Sequence, residues 1–246
     1  MSAYSYDLHI HSCLSPCADD DMTPANIAGM GAVNGLGIMA LTDHNTSGNC
    51  PAFFAACKKY GIVPVAGMEL TTAEDIHVIC LFPELDSAMD FSDMVKPRIM
   101  PINNKPHIFG NQLYVDENDE VKGEEERLLI SATDIDIAQA VELVKKWGGV
   151  CYPAHIDRPS NGIIAVLGDI PPEYGFKCVE FNDGANEADY RAKYSAVTNA
   201  RAVVSSDAHR LWAINEAQNT IEVPDDPYSS ALVRRNLLDK LASNCL

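Results

Sequence analysis

The feature that most constrains this chain is an alternation of short apolar runs, each of strand length, with segments whose apolar residues recur at helical spacing. Strand-length runs cover 4–11, 37–44, 62–70, 77–82, 150–155, 176–182 and 202–209, with a short last one at 220–223. Helical patterns cover 51–60, 135–147, 186–199 and 229–242. Thr23-Pro24 opens another helix, with a capping hydroxyl followed by the imino acid that suits a first turn. Gly35, Gly61 and the pair Gly148-Gly149 stand where helices close. Strands alternating with helices predict an α/β chain with a parallel sheet and right-handed crossovers. Seven or eight such units in 246 residues predict a closed (β/α) barrel, one domain over 1–246. No G-x-G-x-x-G and no P-loop supports the open, doubly wound alternative.

Residues 84–134 break the repeat. They are proline-rich first, at Pro97, Pro101 and Pro106, and then acidic from Asp116 to Glu126. We read them as an insertion in which 111–115 pairs with Val121 and 127–130 across Glu117-Asn118-Asp119. Such a segment is a hairpin lid over a site or a solvated acidic loop.

With 47% hydrophobic residues the chain fills a core without covalent staples. Its eight cysteines (Cys13, Cys17, Cys50, Cys57, Cys80, Cys151, Cys178 and Cys245) include no C-x-x-C and read as reduced thiols of a cytosolic protein. Basic residues number 18 against 35 acidic, a net charge of −17. That balance speaks against broad nucleic-acid binding, which asks for a basic face. It leaves room for a small phosphorylated substrate, because bound metal inverts the local field. Residues 1–8 carry no basic region and no leader-length apolar run, and nowhere is there a stretch of about 18 apolar residues, so a soluble, cytoplasmic protein with no membrane span is expected.

The polar residues that matter fall at the ends of the strand-length runs. His9 and His11 end the first, Asp43-His44 the second and Glu69 the third; His77 opens the fourth, His155 ends a later one, and Asp207 and His209 end the last long one. In a parallel barrel the chemistry sits at the carboxyl ends of the strands. Residues two apart on a strand share a face, so His9 with His11, and Asp207 with His209, can each present two ligands together. A single H-x-H is more often structural than metal-binding. Buried carboxylates among imidazoles, however, need a partner that an apolar core does not offer. A divalent metal supplies it, and these donors suit zinc, manganese or iron.

These motifs resemble the PHP (polymerase and histidinol phosphatase) domain family, whose members hold a trinuclear metal site in a distorted (β/α)7 barrel. The resemblance covers the chain outside 84–134. H-x-H matches His9-Ile10-His11, T-D-H matches Thr42-Asp43-His44, G-x-E matches Gly67-Met68-Glu69, and S-D-x-H matches Ser206-Asp207-Ala208-His209, with His77 and His155 at the remaining positions. The family's residue before an (S/T)-P helix start matches Asp19, with Asp20 as the alternative in Asp19-Asp20-Asp21. The family proline after the third-motif histidine is replaced by Ile156. The resemblance implies three divalent ions. One would take His9, His11, Glu69 and Asp207; a second would share Glu69 and add His77 and His155; a third would take Asp19, His44 and His209.

It also implies a phosphoesterase that attacks a phosphomonoester (histidinol phosphate or a nucleotide) or a phosphodiester with hydroxide held by the metals. Asp43 orients a ligand, moves a proton or merely caps the next turn. Arg158 is the first candidate to bind phosphate and Arg210 the second, each against the plain reading of a surface salt bridge. His107 would reach the site only if the insertion folds over it. Short oligonucleotides stay open as substrates, and oligomeric state is not encoded in these motifs. Two other readings stand beside this one: an amidohydrolase-type metal hydrolase, although no lysine stands at a strand end, and a non-catalytic metal-binding regulatory module.

Overall fold

The strands that carry the site are buried on both faces, which is why they read as unbroken apolar runs. In the computed structural model, which describes residues 1–243, the strands in chain order are β1 (Ser2–Asp7), β2 (Ile38–Leu41), β3 (Val63–Thr71), β4 (His77–Phe82), β5 (Leu113–Val115), β6 (Val121–Glu124), β7 (Val150–Pro153), β8 (Cys178–Phe181), β9 (Arg201–Val204) and β10 (Thr220–Val223). Every residue of β2 and β3 is buried. The helices are α1 (Pro24–Val33), α2 (Cys50–Tyr60), α3 (Leu85–Val95), α4 (Pro106–Phe109), α5 (Ile137–Lys146), α6 (Ile163–Leu167), α7 (Glu187–Lys193), α8 (Ser195–Thr198) and α9 (Ser230–Leu241). Local chemistry sets their ends. Thr23 caps α1 by accepting from the Asn26 N–H, with Pro24 in the first turn. Asp136 and Gln139 form a capping box on α5, and Gly61 closes α2 at φ 71°.

Six strands form one sheet in the order β10-β1-β2-β3-β4-β7, and β8-β9 form a parallel pair. The sheet curls toward that pair at both edges. On one side Ile10 bridges Ala208, and on the other the Ile156 N–H donates to the Glu180 carbonyl at 2.9 Å. The result is a distorted, TIM-barrel-like α/β half-barrel. Inside it Leu8, Ile38, Val65, Leu81, Tyr152 and Val203 pack with Val233, Leu237 and Leu241 of α9. Outside, α1, α2, α3 and α5 cover the sheet through Ile27, Phe53, Phe91 and Val144. No helix among the described residues is long and apolar enough to cross a membrane.

The structure corrects five expectations. The sheet is mixed: β1-β2 and β2-β3 are parallel, but β3-β4, β4-β7 and β1-β10 are antiparallel. The link between β3 and β4 is a tight turn closed by Thr72 N–H to the Ile76 carbonyl, too short for a crossover helix. The helix expected over 186–199 is broken at Tyr194, whose φ of −119° is extended. Residues 84–134 contain α3, which the sequence reading left out, and their hairpin pairs β5 with β6 rather than with 127–130. Strand one stops at Asp7, so His9 and His11 lie on the extended segment beyond it. Cys245 lies outside the described residues, and no disulfide joins the cysteines among the described residues.

The β5-β6 hairpin packs on the segment after His11. The Leu113 N–H donates to the Cys13 carbonyl, and Asn49 bonds Leu113 and Val115. Gly110, at φ 101°, presses so closely on the Pro16 carbonyl that a Cβ there would overlap it.

Candidate metal centre

The first pair behaves as its spacing predicted. His9 and His11 turn their Nε2 atoms to the same point, 3.1 Å apart, and both rings are fully buried. Glu69 on β3 is the hub. Its carboxylate, 1% exposed, meets five imidazoles: His77 Nδ1 at 2.7 Å, His44 Nδ1 at 3.0 Å, His155 Nε2 at 3.0 Å, His11 Nε2 at 3.3 Å and His9 Nε2 at 3.4 Å. Asp207 Oδ1 lies 3.1 Å from His11 Nε2 and 3.3 Å from His9 Nε2. His209 stacks on His11 with ring centroids 4.2 Å apart.

These residues arrive on different backbones. Glu69 and His77 stand on antiparallel neighbours, and Gly67 lets β4 approach, since a Cβ there would fall 2.5 Å from the Cys80 carbonyl. His155 and Asp207 instead take positive φ, 27° and 52°. Left-handed backbone outside glycine is uncommon and clusters where a site over-determines it.

A layer of buried polar groups orients the histidines. Glu180 on β8 accepts from His9 Nδ1 at 2.8 Å and from the His155 N–H at 3.2 Å. The Ser15 hydroxyl donates to Asp43 Oδ1 at 2.7 Å and faces His11 Nδ1 at 2.9 Å. Asp43 also holds the Ser12 N–H and hydroxyl at 2.7 and 2.6 Å. Asp7 accepts from the N–H groups of Ser206 and Asn215 at 3.0 and 3.1 Å. The sequence reading did not single out Glu180, Asp7, Ser12 or Ser15. Glu180 carried the one signal available, a lone acid in the apolar run Cys178-Val179-Glu180-Phe181.

Burial and charge oppose each other throughout the cluster. Burial disfavours the His11 cation, but hydrogen bonds to Asp207 and Glu69 outweigh it and lift the imidazole to about 9. His9 is likewise held well above its usual value by Glu180, Asp207 and Glu69 against the burial penalty. His44 and His209 go the other way: burial, with the His11 charge beside them, lowers them to about 3 and about 4. Glu69 and Asp207 stay far below the usual carboxylate range because the surrounding histidines overcome desolvation. Asp7, with no imidazole partner, is raised by burial to about 6.

The donor set fits divalent metal. His44 Nδ1 and His77 Nδ1 are buried and, although within 3.0 Å of the Glu69 carboxylate, make no well-aligned hydrogen bond. The candidate ligands form groups whose donor atoms lie within 4.8 Å of one another: His9, His11, Glu69 and Asp207; His44, Glu69 and His77; and His11, His44 and His209. Buried orphan donors are costly unless something satisfies them, and imidazole with carboxylate is the donor set of zinc, manganese and iron.

The remaining predicted residues fall as follows. His155 touches Glu69 but stands outside those three groups. Asp19 is half exposed, its carboxylate 3.5 Å from Arg210 Nε, and it joins none of them. Its N–H does bond the His209 carbonyl at 3.0 Å. Asp20 accepts from Asn111 at the surface. His107 is exposed on α4 and joins no group. Arg158 donates to Asp207 Oδ2 and lines, with His44, Glu69, His77, His155, Asp207 and His209, a cavity of about 160 Å³.

The PHP domain family model matches residues 7–146, more than half of the chain. No curated protein matches the sequence. Among solved structures, the lesion-specific endonuclease Q of Pyrococcus furiosus is similar over 99% of this chain at 17% identity and a TM-score of 0.64, this chain spanning 57% of its length. A provisionally named metal-dependent phosphoesterase of Bifidobacterium adolescentis is similar over 94% of this chain and 96% of its own, at 16% identity and a TM-score of 0.62. An amidohydrolase of Chromobacterium violaceum, with sulfate bound and no metal, is similar over 89% and 92%, at 18% identity and a TM-score of 0.58. At such identities these three share the fold. With its sequence matched over 7–146, more than half of its length, the chain belongs to the PHP domain family.

Proposed function

We propose that this protein hydrolyses a small phosphorylated substrate at a centre of three divalent ions. The observation that carries the reading is Glu69, one buried carboxylate within 3.4 Å of five histidines. His9, His11, Glu69 and Asp207 would hold one ion, Glu69 with His77 and His155 a second, and His44, His209 and Asp19 a third. Divalent ions there would supply positive charge to phosphate oxygens and make water nucleophilic near neutral pH.

The chain's own residues prepare the rest. Glu180 accepts a hydrogen bond from His9 Nδ1 and leaves Nε2 facing inward, and the Ser15 hydroxyl accepts from His11 Nδ1 while donating its own hydrogen bond to Asp43. Arg158 holds Asp207 at the cavity mouth, and its half-exposed guanidinium is placed to bind phosphate oxygens. Arg210, more exposed and paired with Asp19, is the lesser candidate. Sites for whole small molecules run to roughly 300–1,000 Å³. About 160 Å³ admits a phosphoryl group and leaves the rest of the substrate outside. The chain carries a net charge of −17, so a long polyanion is disfavoured relative to a small monoester.

The likeness to a lesion-specific endonuclease over the whole chain supports a second reading, a short nucleic-acid substrate. Turnover of nitrophenyl phosphate, bis(nitrophenyl) phosphate, an abasic oligonucleotide and an amide panel by manganese- or zinc-loaded protein separates the readings. Phosphate release from the monoester is expected. Cleavage of the oligonucleotide alone favours the second, and ammonia without phosphate overturns both.

A further inference from the structure

On the outer face of the sheet, away from the histidine cluster, two cysteines stand opposite each other. The β4-β7 register pairs Cys80 with Cys151. The Ala154 N–H donates to the His77 carbonyl at 3.1 Å, so His77/Ala154, Ile79/Tyr152 and Leu81/Val150 are the hydrogen-bonded pairs. Val78/Pro153 and Cys80/Cys151 are the pairs between them. Pro153 agrees with this, since it has no N–H to give. In a non-hydrogen-bonded pair the Cα atoms approach to about 4.5 Å, inside the roughly 4.4–6.8 Å that a disulfide spans. Burial and the facing Cys151 thiol hold the Cys80 thiol well above its usual value. Cys80 is fully buried in the outer core, whereas Cys151 packs against that core and is only partly covered.

We propose that Cys80 and Cys151 are a modification site, a vicinal dithiol that a low-molecular-weight disulfide converts to a cross-strand disulfide. Cys151, the accessible member, attacks one sulfur of the small disulfide and forms a mixed disulfide; the first small thiol leaves and takes a proton. The Cys80 sulfur then attacks Cys151, the protein disulfide closes, and the second small thiol leaves with the other proton. The protein loses two electrons and two protons, and the small disulfide gains both. The loop so closed runs from 80 to 151 and contains the whole insertion and α5. The bond would therefore staple the two ends of that segment, on strands that lead directly to His77 and His155. Closing so long a loop restricts the unfolded chain strongly.

The test uses the full chain with glutathione disulfide, followed by alkylation under denaturing conditions and peptide mass mapping. The expected product lacks two hydrogens, links the Cys80 and Cys151 peptides, melts several degrees higher, and reverts with dithiothreitol. Phenylarsine oxide, which bridges neighbouring thiols, should bind one equivalent to the native chain and none to Cys151→Ser or Cys151→Ala. Cys80 and Cys151 both recovered as free thiols, under conditions that already modify the exposed Cys17, would overturn the proposal. So would a link to any other cysteine, or arsenical binding unchanged in the Cys151 variants. A linked pair with an unchanged Tm would overturn the stapling of the insertion.

Discussion

The first half of the chain and the second hold their shares of the site by different means. In the first, Glu69 and His77 are fixed by the sheet itself, each paired across β3 and β4, and His44 is bridged to Glu69. In the second, β7, β8 and β9 are four residues each, and His155 and Asp207 lie beyond strand ends at φ 27° and 52°. Such backbone costs of order 1–3 kcal/mol per residue and persists only where the surroundings impose it. Here the surroundings are buried hydrogen bonds: the His155 N–H on Glu180, the Ser206 N–H on Asp7, and the Ala208 N–H on the Ser206 hydroxyl. The candidate ligands on β3 and β4 come with the sheet, whereas His155 and Asp207 depend on buried polar groups outside the candidate ligand set.

The largest effect tests the sheet-borne side. Glu69→Ala should lower kcat/KM by about 10³-fold or more, the scale of removing a principal electrostatic group. Metal content by elemental analysis should fall with it, because five histidines lose their common partner. Asp207→Asn comes next. Asn tolerates left-handed backbone, so the fold should survive while the charge goes, with a loss of about 10²-fold. A melting curve that collapses in this variant would show that the charge, not the backbone, holds the second half together. Glu180→Ala should be smaller, about 10–100-fold weaker metal affinity by calorimetry. Glu180→Gln should recover most of it, since the amide oxygen still accepts from His9 and His155. Affinity equal to the native chain's in Glu180→Ala would erase the distinction between the halves.

That asymmetry also decides what the sequence disclosed. His9, His11, His44, Glu69, His77, Asp207 and His209 were legible because charge at the end of an apolar run has few outlets other than metal. Glu180 sits in an equally apolar run, but its partner His9 is 171 positions away, and pattern alone does not pair residues so distant. The barrel-like class followed from the alternation of elements, whereas the antiparallel β3-β4 pair depended on the length of one turn. Helix α3 was hidden because Asp86, Ser87, Asp90, Ser92 and Asp93 are weak helix formers. It forms by burying Ala88, Phe91 and Val95 against the sheet, a tertiary effect. Asp19 remains the least settled by position, since its carboxylate turns to Arg210 and not to His209.

The β5-β6 hairpin is held in a third way, by side-chain tethers, and it gives the smallest test. Asp119, in the turn between β5 and β6, accepts from the Thr23 hydroxyl at 2.6 Å and the Ala25 N–H at 3.2 Å, so the hairpin tip caps α1. Its φ of 60° adds a backbone requirement to the tether. Asp119→Ala loses both bonds and places a Cβ in left-handed backbone, for about 1–2 kcal/mol of stability. Asp119→Gly loses the bonds but relieves the backbone and should cost less, and Asp119→Asn, which keeps an acceptor and tolerates the conformation, should cost least. Denaturant melts would establish that order. Because Asp119 joins no group of candidate ligands, kcat/KM should stay within about twofold in all three if the hairpin only braces the barrel. A tenfold fall at constant metal content would instead make the hairpin a lid over the chemistry, and the site would then be held by three parts of the chain and not two.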